Sequence, residues 1–412
     1  MANKLKKISE NEFINNLSDV ETISFQQTKE MGDALHNLDW QEEYLALVNE
    51  KEEVLSTALI LTKPMFAGKH MELNFGPMYR EYDEELILDF FNQLKNYAKK
   101  EGVLELVIRP NINANIYSGE GEKLESIAEG LQKRLEANGF KRDPKNEIIT
   151  WQYVKDLSSY DNYNKLFKSF TKDGQYSIKK TRQFGINVRP MTFEELPKFK
   201  EVTSQTADRR GYEDKSLDYY QEVFKAFGDK AEFLVAEINF SDYKNNLLER
   251  KAKLEADLAE IEEFLAVNAN SRKKNNQKKE VLSEISTYEK RLIDADSYIE
   301  EFGQDDIILA VGLFIYNPKE VVYLFSGSDD KYKKFYAPFA VQEYVMQKAM
   351  NEDIPRYNFY GVSGVFDGSD GVLGFKKNFN GVVEEKVGDY VTSPQPLKKK
   401  SVDLVKKVLG RG

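Results

Sequence analysis

A strand–helix–strand pattern between Val321 and Tyr360 constrains the fold of this chain more than any other feature. The apolar run Val321–Ser326 predicts a buried strand, and Arg356–Tyr360 predicts another. Apolar residues recur at helical spacing from Phe339 to Ala349, and Pro338 stands in the first turn, where no backbone N–H is missed. The pattern therefore predicts an α/β unit.

The same order of elements occurs earlier in the chain. The first set of predicted elements is the strands Tyr44–Asn49, Val54–Leu61 and Met71–Phe75, the helix Glu84–Lys100 and the strand Leu104–Ile108. The strands Glu232–Phe240 and Ile307–Tyr316 begin the second set. We predict two copies of one unit, although common elements can also recur by chance. Between the copies we predict a helix over Gly121–Gly139, a strand over Ile148–Val154 and a helix over Tyr160–Phe170.

The segment Leu247–Phe302 has a different apolar spacing. Its apolar residues follow steps of mostly three and four on both sides of a short polar stretch, Asn268–Lys279. Two heptad-patterned helices joined by one loop predict an antiparallel coiled-coil hairpin. The hairpin interrupts the second pair of strands at a turn, where an insertion leaves the strand ends adjacent.

Composition excludes several classes of protein. A chain of 412 residues can form two or three domains. It has no cysteine, which excludes disulfides and thiolate metal sites, and its two histidines argue against a Ser-His-Asp triad. The N-terminus lacks the apolar run of a signal peptide, and no apolar stretch is long enough to span a membrane, so we predict a cytoplasmic protein. The net charge of −10 leaves nucleic-acid binding to local basic patches.

The sequence also lacks the common cofactor motifs. Acyltransferases that use CoA hold its pyrophosphate on a glycine-rich loop that opens a helix. Glu84 and Phe335 begin the corresponding helices here, and no such loop precedes them. No Walker or Rossmann motif or metal cluster is present. We therefore predict no CoA, ATP, NAD or metal cofactor.

Three motifs in the second unit carry a family resemblance. They are the strand end Gly327-Ser328, the helix start from Tyr336 to Gln342, and Phe375-Lys376 followed by Phe379. In this order and spacing they resemble the Fem family of FemA-, FemX- and MurM-like proteins, which are tRNA-dependent aminoacyl ligases that build peptidoglycan cross-bridges. The resemblance implies an α/β (α+β) fold with two GNAT-like domains in tandem. The inserted hairpin is typical of FemA-like members, and FemX-like members lack it.

The predicted domains follow from this resemblance. They are GNAT-like domain 1 (residues 1–157), GNAT-like domain 2 (158–242 and 303–395), the helical arm (243–302) and a basic C-terminal tail (396–412). The tail is amphipathic, and we expect its apolar residues Leu397, Leu404, Val405 and Val408 to face the protein. The alternative is that its lysines contact an anionic membrane surface.

Lys376 is the predicted catalytic residue. In the family, the lysine of the Phe-Lys pair lies at the acceptor phosphate and the reaction centre. A partly desolvated ammonium beside Phe375 can stabilise an oxyanion, and a lysine of depressed pKa can move a proton. The alternative is an ordinary surface lysine in a glycine-rich loop, for which Lys377 serves equally well.

The resemblance also implies an acceptor groove lined by Phe325, Lys215, Tyr219, Tyr336 and Phe375. FemX-like members contact a soluble nucleotide precursor through an arginine and a tyrosine four residues apart, and Lys215 and Tyr219 occupy those positions here. Phe325 replaces a substrate-binding tyrosine. These departures favour a lipid-linked acceptor. Tyr219 can equally be part of a helix core, and Lys215 a solvated helix end.

Two basic clusters are predicted to bind tRNA. Lys179, Lys180 and Arg182 lie in a segment that carries six basic residues and one aspartate, and Arg272, Lys273 and Lys274 lie at the tip of the arm. The alternative for both is solvated surface charge.

The predicted function is therefore transfer of an amino acid from aminoacyl-tRNA to an amine of a lipid-linked peptidoglycan precursor. The acceptor is the stem-peptide lysine or a residue already added to it. Two alternatives stay open: a CoA-dependent N-acyltransferase, and a non-enzymatic protein that binds a ligand through its arm. The sequence sets neither the amino acid nor the oligomeric state.

Overall fold

The computed structural model describes residues 3–17, 20–128, 130–142 and 149–408. The strands are Lys4–Lys7 (β1), Gln41–Val48 (β2), Val54–Met65 (β3), Gly68–Asn74 (β4), Met78–Tyr79 (β5), Val103–Arg109 (β6), Asn113–Ser118 (β7), Lys123–Ser126 (β8), Lys141–Arg142 (β9), Trp151–Asp156 (β10), Asn187–Pro190 (β11), Ala231–Asn239 (β12), Asp306–Tyr316 (β13), Val321–Ser328 (β14), Arg356–Gly361 (β15), Val382–Lys386 (β16) and Tyr390–Thr392 (β17).

The helices alternate with these strands. They are Glu10–Asn15 (α1), Lys29–His36 (α2), Glu84–Lys100 (α3), Leu131–Ala137 (α4), Tyr163–Ser169 (α5), Lys172–Phe184 (α6), Leu196–Arg210 (α7), Leu217–Phe227 (α8), Phe240–Val267 (α9), Arg272–Phe302 (α10), Ala337–Asn351 (α11), Gly371–Lys376 (α12) and Pro396–Val408 (α13). Among the helices described, none combines the length and the apolarity that crossing a bilayer requires.

The strands of the described ranges form two sheets. The first has the order β1-β2-β3-β4-β6-β17-β9, with β5 beside β3, and the second has the order β11-β12-β13-β14-β15-β10-β16-β7-β8. In the first sheet β2, β3 and β4 are antiparallel neighbours, and α3 leads to β6, which runs parallel to β4. In the second sheet β12, β13 and β14 repeat this arrangement, and α11 leads to β15, parallel to β14. The predicted α/β fold class is confirmed.

The two sheets exchange strands along the chain. The strands β7, β8 and β10 precede residue 157 but pair within the second sheet, whereas β17, near the C-terminus, pairs with β6 and β9 of the first. The boundaries proposed for the two domains therefore stay a prediction, and the exchanged strands connect the two halves.

The prediction of a single helix over residues 121–139 is wrong. Residues 123–126 form β8, which pairs with β7, and the helix α4 begins only at Leu131. Leu124 is exposed, whereas Leu131 and Leu135 are buried, so only the second half of the apolar pattern packs as a helix. The strand predicted to begin at Ile148, which lies outside the described residues, begins as β10 at Trp151.

The helical arm leaves the body at the end of β12 and returns at β13. Its helices α9 and α10 are antiparallel. This direction is seen in the ion pairs between the helices, which connect Lys244 with Asp296, Lys251 with Glu289 and Lys278 with Glu262. The loop between them is shorter than the polar stretch suggests, since the side chain of Ser271 caps a helix that begins at Arg272. That the two helices supercoil stays a prediction.

Most of the apolar residues of the C-terminal helix α13 face solvent and not the protein. Leu397, Leu404 and Val405 are exposed, and Val402 packs against the body instead. The expectation that the first three residues face the protein is therefore wrong. The side chain of Val408 and residues 409–412 lie outside the part of the chain that the structure describes.

Candidate active site

The candidate site is a cavity where β14 and β15 separate. These parallel strands pair only at Val321 with Tyr357 and at Val322 with Asn358. Beyond that point they diverge and enclose a cavity of about 860 Å³. Its lining includes residues 323–328 of β14, residues 359–361 of β15, the C-terminal end of α7 and several residues between Val362 and Lys376. In the first sheet, β4 and β6 pair from Lys69 to Asn74, so the corresponding strands leave no such gap.

Close packing between β14 and α7 brings a cation to this cavity. A Cβ atom on Gly327 would lie 2.6 Å from the carbonyl oxygen of Val202, so only glycine allows this approach. The backbone N–H of Ser328 donates to Oγ1 of Thr206 at 3.1 Å. These contacts hold the end of α7 against the strand and place Arg210 in the cavity lining.

The short helix α12 positions Lys376. Asp370 caps its N-terminus, because the carboxylate accepts hydrogen bonds from the backbone N–H groups of Val372 and Leu373. The same carboxylate accepts from the backbone N–H and the hydroxyl of Ser363, which ties the preceding turn to the helix. Lys376 is the last residue of the helix, and only 4% of it is exposed. It is therefore a buried lysine and not the surface lysine of the alternative interpretation.

The ammonium group of Lys376 contacts backbone oxygens of β15. Nζ donates to the carbonyl oxygens of Tyr360 at 3.2 Å and Gly361 at 2.5 Å. Tyr360 has a left-handed backbone, with φ of 64°, at this bend of the strand. The hydrogen bonds hold Nζ at the wall of the cavity.

Burial lowers the pKa of Lys376 to about 7, because the charged form loses its hydration. The carboxylate of Asp370 acts in the opposite direction, and the positive charge of Arg210 lowers the pKa further. Near neutral pH both protonation states of Lys376 are therefore accessible. The protonated form can stabilise an oxyanion, and the neutral form can accept a proton.

Aromatic side chains form the apolar wall of the cavity. Phe325 and Phe375 line it together with Lys376. The ring of Phe375 packs on Phe339 and Phe379, with centroid distances of 4.9 and 5.6 Å. The structure thus brings three of the predicted site residues into one cavity.

The other predicted groove residues lie outside the cavity lining. The Tyr219 ring lies behind Phe325, at a centroid distance of 6.1 Å, and burial raises its pKa. Lys215 is exposed and places Nζ 5.4 Å from the centroid of that ring. The ring centroid of Tyr336 lies 6.2 Å from that of Tyr176 of α6 and 6.3 Å from that of Phe339. None of these three residues lines the cavity itself.

Sequence reasoning did not identify three residues of this site: Arg210, Asp370 and Tyr360. Arg210 precedes Gly211 at a helix end, and Asp370 precedes a short apolar run, so both had the local signals of helix termini. Their positions near Lys376 arise only from tertiary packing. Tyr360 contributes its carbonyl group, which no side-chain motif reveals.

A second cavity, of about 450 Å³, lies between the two sheets. Its charged lining residues include Arg356, Glu384 and Lys386. Both Arg356 and Lys386 form ion pairs with Glu384, and a hydrogen bond joins Lys386 to Asn113. These three charges therefore pair with one another, whereas the ammonium group of Lys376 in the β14–β15 gap donates to neutral carbonyl groups.

The basic helix α6 runs beside the candidate site. Lys179 and Lys180 form no ion pair within the described ranges and lie over the rings of Phe167 and Tyr176, respectively. Arg182, by contrast, is engaged in an ion pair with Glu343. The two lysines are thus the more available cations of this cluster.

The second basic cluster lies at the far end of the arm. Arg272 and Lys273 are exposed in the first turn of α10, and Lys274 lies over the ring of Phe264 at 5.5 Å. A helix of 31 residues is about 45 Å long, so the tip projects far from the body at Phe302. A ligand that contacts both clusters must therefore be large.

In the residues that the structure covers, no group of three or more histidine, aspartate or glutamate side chains is arranged to hold a metal ion. The expectation that the protein uses no metal stays a prediction.

The buried lysine makes a prediction about stability. A lysine in an unfolded chain has a pKa of about 10.4, whereas that of folded Lys376 is about 7, so between these values the folded state binds fewer protons. The stability of the wild type should therefore rise with pH relative to Lys376→Met. We expect the variant to be the more stable protein at about pH 6 and to lose a few kcal/mol of this advantage towards about pH 10, at about 1.4 kcal/mol per pKa unit.

Urea unfolding at both pH values measures this difference. Lys377→Met is the matched control, because Lys377 is the neighbouring lysine and pairs with Glu120 near the surface. An advantage of Lys376→Met that does not change with pH would show that the pKa of Lys376 is not depressed.

Comparison with known proteins identifies the family. The model of the FemAB family matches residues 8–407. Aminoacyltransferase FemA of Staphylococcus epidermidis is 29% identical over 359 residues, which span 84% of this chain and 85% of that protein. FemA of Staphylococcus aureus (strain N315) is 29% identical over 365 residues, with the same shares. A crystal structure of FemX has a TM-score of 0.74 at 19% identity, covers 97% of this chain and 100% of its own, and shows a shared fold. The predicted family is confirmed: this chain belongs to the FemAB family.

Proposed function

We propose that this aminoacyltransferase moves an amino acid from aminoacyl-tRNA to an amine of a lipid-linked peptidoglycan precursor. The acceptor amine belongs to the stem-peptide lysine or to a residue already attached to it, so the product extends the interpeptide bridge. The observation that carries the proposal is the buried Lys376, which lies in a cavity large enough for an extended peptide end. The family membership supports the reaction class.

The proposed reaction is the aminolysis of an ester. The neutral acceptor amine attacks the carbonyl carbon of the aminoacyl ester, and the carbonyl oxygen becomes an oxyanion. The tetrahedral intermediate then collapses, the C–O bond to the tRNA ribose breaks, and the amine loses a proton as the ribose hydroxyl gains one. The reaction needs no ATP, because the ester already carries the free energy of activation.

Protonated Lys376 is suited to stabilise the oxyanion. A buried ammonium group stabilises developing negative charge more strongly than a solvated one. Its two carbonyl partners are neutral, so the positive charge is not cancelled by a carboxylate in direct contact. Arg210, in the same lining, adds positive charge that suits a phosphate of either substrate.

The residues around the cavity support a lipid-linked acceptor over a soluble nucleotide. Phe325 lines the cavity without the hydroxyl of a tyrosine at that position, and Lys215 provides a point charge in place of an arginine fork. Both changes remove hydrogen-bonding groups that a nucleotide-linked precursor would use. In this proposal Phe375 and Phe325 contact the peptide, and Tyr219, Lys215 and Tyr336 shape the groove around it.

The basic clusters support tRNA as the donor. Lys180 lies over the ring of Tyr176, which packs on Tyr336 next to the aromatic wall of the site, and the adjacent Lys179 lies over the ring of Phe167. Arg272, Lys273 and Lys274 lie at the tip of the arm, and a folded tRNA is large enough to contact both the arm and the body. Arg182 would participate only if it exchanged Glu343 for a phosphate.

Amino-acid transfer to lysine-containing lipid II, with tRNA charged separately with glycine, alanine or serine, tests the reaction. We expect product with one of these donors and a loss of about 10²–10³-fold in turnover for Lys376→Met, the magnitude of losing an oxyanion donor. The matched control Lys377→Met should stay close to the wild type. Full turnover by folded Lys376→Met would refute the catalytic role.

If no product forms with any of the three charged tRNAs, other acceptors are tested next. The next acceptors are precursors that already carry one or more bridge residues. If the active, folded protein is silent with these as well, the aminoacyl-tRNA reaction is contradicted, and CoA binding is the next measurement.

The tRNA contact makes a separate prediction. The double charge reversal Lys179→Glu/Lys180→Glu should weaken tRNA binding by about ten-fold or more and reduce the slope of log K against log salt by roughly one to two, because each phosphate contact contributes about 0.9 or less to the slope. A filter-binding titration at several salt concentrations measures both quantities. Lys99→Glu/Lys100→Glu, on the exposed end of α3, is the matched control. Equal weakening by both pairs would indicate a general charge effect and not a binding site.

A further inference from the structure

The C-terminal helix α13 turns an apolar stripe towards solvent. Leu397, Leu404 and Val405 are 81%, 64% and 45% exposed. Steps of seven and one place the three side chains on one face of the helix. The exposed hydroxyl residue Ser401 lies between Leu397 and Leu404 on this face, and a group of exposed apolar side chains of this kind is typical of a surface that binds something.

Contacts on the opposite face fix the orientation of this stripe. Val402 is buried, and Lys399 forms an ion pair with Glu105 of β6 at 2.5 Å. Just before the helix, the side chain of Gln395 donates to the carbonyl oxygen of Val103 at 3.2 Å. The helix is therefore attached to the body by one face, and its apolar stripe points away from the protein.

Lysines border the stripe on both sides. At 100° per residue, Lys398 lies along one edge, and Lys400 and Lys407 lie along the other. All three are exposed, and no ion pair involves them within the described ranges. The whole chain carries a net charge of −10, so this concentration of positive charge is local. An apolar stripe with cations at both edges is complementary to an anionic lipid surface, where the apolar side chains enter the acyl region and the lysines contact the headgroups.

We propose that α13 docks this protein on the surface of an anionic phospholipid bilayer. Leu397, Leu404 and Val405 insert at the interface, and Lys398, Lys400 and Lys407 contact the headgroups. A second copy of the chain is a poorer occupant, because two such helices face to face would bring lysines against lysines. The proposal concerns lipid binding alone and does not depend on which reaction the protein catalyses.

Co-sedimentation of the full chain with vesicles tests this proposal without any substrate. We expect binding to vesicles of phosphatidylcholine mixed with anionic phosphatidylglycerol, weak binding to vesicles of pure phosphatidylcholine, and a loss of binding as salt rises. Leu397→Glu/Leu404→Glu should reduce the partition coefficient about ten-fold or more. Val267→Glu/Ile293→Glu is the matched control, since both residues are exposed apolar residues of the arm and the charge change is the same.

Three results of the vesicle assay would overturn the proposal. The wild type fails to bind the anionic vesicles, the Leu397/Leu404 variant binds them as the wild type does, or both pairs of substitutions weaken binding equally. Sedimentation velocity without lipid tests the alternative that a second copy of the chain binds the stripe. A wild-type dimer that dissociates only in the Leu397/Leu404 variant would assign the stripe to this second copy. Circular dichroism verifies that each variant folds. Failure of vesicle binding would leave transfer to a detergent-solubilised acceptor unaffected, so the two proposals fail separately.

Discussion

The separation of β14 from β15 is the feature on which the rest of the site depends. Two parallel strands that pair along their whole length leave no room between them, as β4 and β6 show in the first sheet. Since β14 and β15 pair at only two positions, their ends diverge and the space between them becomes a cavity. The repeated unit therefore has two different uses. The first copy forms a closed sheet, and the second opens to hold a buried cation.

Burying that cation requires support from several elements. Asp370 caps the helix that ends at Lys376, and the carbonyl groups of Tyr360 and Gly361 accept hydrogen bonds from its ammonium group. These contacts offset part of the loss of hydration without placing a carboxylate in direct contact. The result is a lysine whose pKa is close to neutral and whose charge is available to a substrate.

Much of the fold could be predicted from the sequence because its periodic segments are long. The boundaries of α3 agree with the prediction, since Asp83 caps its first turn and basic residues close its last. The prediction of one helix over 121–139 fails because it rests on apolar spacing alone, and strand pairing with β7 takes the first half of the segment. The apolar residues of α13 are expected to face the interior because most apolar stripes pack inward. No local signal in the sequence shows that Val402 packs against the body in their place.

The site itself could be predicted only in part. The resemblance pointed to Lys376, Phe375 and Phe325, and these three residues line one cavity. Arg210 and the carbonyl of Tyr360 escaped prediction because they reach Lys376 through packing between elements distant in sequence. Tyr219, Lys215 and Tyr336 occupy a second layer around the cavity, a distinction that residue spacing cannot make.

The most direct test of the account is a crystal structure with a stem-peptide acceptor analogue bound. We expect the acceptor amine in the gap between β14 and β15, within hydrogen-bond reach of Nζ of Lys376 (about 3 Å) or one water molecule away. We also expect the peptide to contact Phe325 and Phe375. An analogue bound instead in the cavity between the two sheets, beside Arg356 and Glu384, would contradict the assignment of the active site.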